Sequence, residues 1–75
     1  MNFDKLVESH GFTYRNLATL ADMSVQQLYN YANGKVLPEK VSFWSVWNIS
    51  QALDVDPCLV YQSIIKSWKV HGRSE

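Results

Sequence analysis

Apolar residues recur at spacings of three and four along the chain, and strand-like alternation is absent. That periodicity predicts an all-α protein of five short helices. Phe3, Leu6, Val7 and His10 share one face of the first helix, which Asn2 caps and Gly11 ends. His10 reads there as a packing residue at the helix end. Thr13 opens a second helix carrying Leu17, Leu20 and Ala21. Ser24 opens a third, with Gln27 three residues on in the spacing of a capping box. Leu28 and Tyr31 point inward from it, and Asn33 with Gly34 stops it. Lys35 to Val41 holds Pro38 and reads as a loop. Ser42 caps a fourth helix with Phe43, Val46, Trp47, Ile49 and Leu53 directed inward. Asp56 and Pro57 form a cap with proline at the first helical position. The fifth helix follows, with Tyr61, Ile64, Ile65 and Trp68 on its apolar face. The pattern gives one domain over residues 1–69 and a flexible tail over 70–75.

The stretch TYRNLATLADMSVQQLYNYANG, Thr13 to Gly34, meets the geometric demands of a helix-turn-helix. A small residue is needed where the two helices cross, and Ala18 is there. A residue tolerant of positive φ must start the turn, and Asp22 stands where glycine is cheapest. Met23 plugs the turn into the core, and Leu28 anchors the second helix of the pair. The outward face of that helix is polar and uncharged, as in a DNA reader.

On these residues the chain resembles the Xre/Cro/CI family of phage repressors and their bacterial relatives. Leu17, Ala18, Met23, Ser24, Leu28, Gly34 and Pro38 fall on that family's pattern, as does the helix from Phe43 to Leu53 leading into Asp54 and Val55. The resemblance spans Leu6 to Leu59 and implies a compact, lambda-repressor-like bundle of five helices. It further implies binding of operator DNA as a homodimer, with the third helix in the major groove. Asp22 replaces the family's turn glycine, and Tyr14 replaces a frequent glutamine at the start of the second helix.

Gln26, Gln27, Tyr29 and Asn30 lie on or beside the exposed face of the third helix as base-reading candidates. Glutamine and asparagine can pair bidentately with adenine. Gln27 is also the capping-box partner. Val25 is placed either to touch a thymine methyl or simply to start the helix. Candidates for the DNA backbone are Thr13, Tyr14, Arg15, Ser24, Asn33, Lys35 and Lys40.

Charge complicates the picture. Seven basic residues balance seven acidic ones in 75 residues, so no global field draws the chain onto nucleic acid. Binding by one monomer is expected to be weak and to need dimerisation. Three Trp and four Tyr are many for this length. Trp44, Tyr61, Ile65 and Trp68 are the candidate dimer or partner surface.

Other chemistries find no footing. His10 and His71 have no cysteine or acidic neighbours at metal-ligand spacing, so no metal or other cofactor is expected. No phosphate loop or nucleophile motif is present, which argues against an enzyme. The single Cys58 excludes an internal disulfide and fits a reducing, cytoplasmic setting. Neither a membrane span nor a small-molecule ligand is expected. The leading expectation is a sequence-specific transcriptional regulator of Cro or repressor type. Its rival is a protein-interaction module, such as a phage antirepressor that binds a repressor protein.

Overall fold

Each predicted helix start carries its cap in the computed structural model, which describes residues 1–72. The helices are α1 (Phe3–Ser9), α2 (Tyr14–Ala21), α3 (Val25–Ala32), α4 (Phe43–Leu53) and α5 (Pro57–Ser67). Side-chain oxygens of Asn2, Thr13, Ser24, Ser42 and Asp56 accept the N–H groups of Lys5, Asn16, Gln27, Trp44 and Cys58 at 2.8–3.1 Å. Each bond satisfies a donor that the helix itself leaves open. A 3₁₀ turn at Pro38–Lys40 interrupts the loop before α4, and no strand occurs among the described residues.

The helix ends share a second device. After α1, α2 and α3 the chain turns through Gly11, Asp22 and Gly34, all at positive φ. The next N–H reaches back to the last turn, from Phe12 to Val7, Met23 to Ala18 and Lys35 to Asn30, at 2.9–3.3 Å. This is the Schellman closure. Asp54 ends α4 in the same left-handed conformation, with the Val55 N–H on the Ser50 carbonyl at 3.0 Å. The positive φ at Asp22 was expected, whereas that at Asp54 was not.

Phe3, Leu6, Leu17, Leu28, Ile49, Val60 and Ile64 form the centre of the core, each essentially without exposure. Met23 packs against that centre from the turn. Several inward assignments need correction. His10 is exposed, and its Nδ1 lies 2.9 Å from the Leu6 carbonyl at the end of α1 instead of packing. Leu20 is exposed on α2. On α4, Phe43 and Trp47 stand outside at 70 % and 40 % exposure. Ser45 and Ser50 are buried in their place, beside Val46, Ile49 and Leu53. That helix packs on both α2 and α5, where small side chains permit close approach and indoles do not fit. The buried stripe of α5 is Val60, Ser63, Ile64 and Ser67, leaving Tyr61, Ile65 and Trp68 half-buried beside it. The chain continues through Trp68–Gly72 as a π-helical turn, where a tail was expected from Val70. The remainder of that expected tail lies outside the described residues. No helix among the described residues is long and apolar enough to cross a membrane.

Ser67 explains part of the shift in α5. Its Oγ accepts the Phe3 N–H at 2.8 Å, joining the end of α5 to the start of α1 in a buried site. Ser67→Ala strands that donor, and leaving such a group unpaired costs about 1–3 kcal/mol. Chemical denaturation of the variant is expected to show that loss with an unchanged dependence on denaturant concentration.

Candidate nucleic-acid interface

α2 and α3 pack against one another across the turn at Asp22, and Leu28 locks α3 to the core. With Leu28, Tyr31 and Ala32 buried, the opposite side of α3 is turned to solvent. Gln26 is exposed there and Asn30 half-exposed. Their side chains meet one helical turn apart, with Gln26 Nε2 donating to Asn30 Oδ1 at 3.0 Å. Spacing made that bond available, but only the rotamers form it.

The remaining reading candidates divide. Gln27 is half-buried; its main-chain N–H takes the Ser24 cap, and its side chain makes no hydrogen bond among the described residues. The capping box is therefore half formed, and the Gln27 amide is uncommitted. Val25 is half-buried and packs against the core. Tyr29 is exposed, its ring edge-on to Tyr14 with centroids 4.6 Å apart.

The backbone candidates are likewise unequal. Thr13 and Ser24 spend their hydroxyl oxygens as helix caps. Asn33 is exposed at the end of α3. Arg15, Lys35 and Lys40 are exposed and have no ion-pair partner among the described residues. Lys35 follows the end of α3, Arg15 lies in the first turn of α2, and Lys40 lies in the 3₁₀ turn before α4.

Tyr14 is differently placed. Its ring stacks on Phe3 and meets Tyr29, and its hydroxyl donates to Asp4 Oδ1 at 2.8 Å. The phenol expected to face phosphate is thus committed to a carboxylate of α1. Burial, then the hydrogen bond to Asp4, then nearby negative charge push its pKa well above the ordinary phenol value near 10. The folded state therefore holds this proton more tightly than the unfolded chain. Stability from this source is fully present below about pH 10 and declines as pH rises beyond it toward the folded value. Denaturation at pH 9 and pH 11 is expected to show a smaller alkaline loss in Tyr14→Phe than in the parent.

The expected dimer or partner residues do not form one open surface. Trp44 is 68 % exposed on α4. Tyr61 is half-buried, and its hydroxyl donates to the Pro38 carbonyl at 3.0 Å. Ile65 and Trp68 flank the buried stripe of α5. The exposed aromatics are instead Tyr29 on α3 and the cluster Phe43, Trp44 and Trp47 on α4. A groove of about 410 Å³ opens beside Phe43, between Pro38, Val41, Val46 and Tyr61. Sequence reasoning missed this face because it directed Phe43 and Trp47 into the core. Cys58 is exposed at the start of α5, and no metal-binding cluster of His, Cys, Asp or Glu occurs among the described residues.

No family model, curated protein or solved structure matches the chain.

Proposed function

We propose that this chain is a sequence-specific DNA-binding transcriptional regulator of Cro or repressor type, acting in the cytoplasm as a homodimer. The observation that carries this reading is the bonded Gln26–Asn30 pair on the outer face of α3. It is polar, uncharged and solvent-facing, on a helix of a size that enters the major groove. The turn at Asp22 and the buried Leu28 seat the helix that carries it against the core. Arg15, Lys35 and Lys40, exposed and without ion-pair partners among the described residues, supply the phosphate contacts. The family resemblance of residues Leu6 to Leu59 supports the same conclusion.

Fluorescence anisotropy with the gene's upstream region and with a scrambled duplex tests the proposal. Tighter binding to the upstream duplex is expected, and it should weaken as salt rises. Three cations per subunit give six phosphate contacts in a dimer, for a slope of log affinity on log salt of about −5. Equal affinity for both duplexes at low salt overturns the reading.

Two observations favour a second reading, a protein-interaction module such as an antirepressor. Tyr14 is engaged by Asp4, which places a carboxylate near the start of α2. Phe43, Trp44 and Trp47 also expose more aromatic surface than a monomer needs. Capture of a repressor protein with an affinity insensitive to salt supports that alternative.

A further inference from the structure

The bond between Gln26 and Asn30 divides their work unequally. Gln26 is the longer and more exposed side chain, with three rotatable bonds to its amide, while Asn30 is shorter and half-buried. One Gln26 N–H is spent on Asn30 Oδ1 at 3.0 Å. What remains on Gln26 is one N–H donor and the Oε1 acceptor on a single amide. Adenine offers the matching pair in the major groove, N7 as acceptor and N6 as donor. Guanine offers two acceptors there, and cytosine a donor. An amide held in place presents this pattern without first having to be ordered.

We infer that Gln26 is the residue that specifies adenine, and that Asn30 is a positioning residue holding the Gln26 amide in its reading orientation. This rests on the DNA-reading role of α3 proposed above. It gives Asn30 a task other than direct base contact. It also predicts that the acceptor at position 30, not the whole amide, is what matters. Aspartate keeps that acceptor, and alanine removes it.

The test uses the full chain and duplexes selected from a randomised library by the parent protein. Anisotropy then compares the selected duplex with one in which the enriched adenine pair is replaced. For the parent the replacement is expected to cost about tenfold or more in affinity. Gln26→Ala abolishes that ratio. Asn30→Ala reduces it to about threefold or less, because the reading amide is no longer held. Asn30→Asp binds all DNA more weakly, since it adds a negative charge, yet keeps the parent's ratio. Circular dichroism confirms that each variant is folded.

Retention of the ratio in Asn30→Ala, or its loss in Asn30→Asp, overturns the positioning role. Relaxation of a second base position in both Asn30 variants shows that Asn30 reads a base itself, and overturns it as well. Selection of no sequence by the folded parent overturns the DNA reading and this inference with it.

Discussion

Phe3→Ala is expected to destabilise the domain by about 3–5 kcal/mol, the range for truncating a buried phenylalanine. The side chain has no exposed surface. It stacks nearly parallel on Tyr14 at 6.3 Å and meets Tyr31 edge-on at 6.1 Å. A cavity there removes support from α2 and α3 together, because both tyrosines lean on the one ring. Small domains hold only about 5–15 kcal/mol in total. The variant is therefore expected to lose most of its stability, and denaturant unfolding followed by tryptophan fluorescence measures it. A loss under about 1 kcal/mol, well below the cost of such a cavity, contradicts the central place given to this ring.

The second large effect is functional. Gln26→Ala with Asn30→Ala is expected to leave the fold unchanged, since neither residue belongs to the core. The intrahelical bond they lose is worth only about 0.2–0.5 kcal/mol. Affinity for the preferred duplex is expected to fall by about 1–3 kcal/mol per bidentate contact, doubled when both subunits of a dimer lose it. Affinity for scrambled DNA is expected to change little, because Arg15, Lys35 and Lys40 remain. Anisotropy on both duplexes measures the two arms. An equal loss on both contradicts base reading by α3.

Much of this architecture is legible in the chain because local rules act locally. The five caps and the stops at Gly11, Asp22 and Gly34 follow from residue type and position alone. The faces of α4 and α5 do not. α4 is apolar around most of its circumference, so periodicity does not select a side, and treating large aromatics as core residues misplaced Phe43 and Trp47. The buried polar side chains among the described residues are all serines: Ser45, Ser50, Ser63 and Ser67. Ser50 and Ser63 return their hydroxyls to the carbonyls three residues back, at 2.7 and 2.6 Å. A hydroxyl satisfied in this way buries like a small apolar group, which a polar assignment hides. The outward amides of α3 were visible from helical geometry. The Tyr14 bond to Asp4 was not, because it joins two helices through rotamers that no spacing rule specifies.

The most direct test is an amide-resolved NMR titration of the isotopically labelled protein with the upstream duplex. The largest shifts are expected on the outer face of α3, at Gln26, Gln27, Tyr29 and Asn30, with a second set near Arg15 and Lys35. Shifts centred on Phe43, Trp44 and Trp47, or none at low salt, contradict the DNA-reading role of α3.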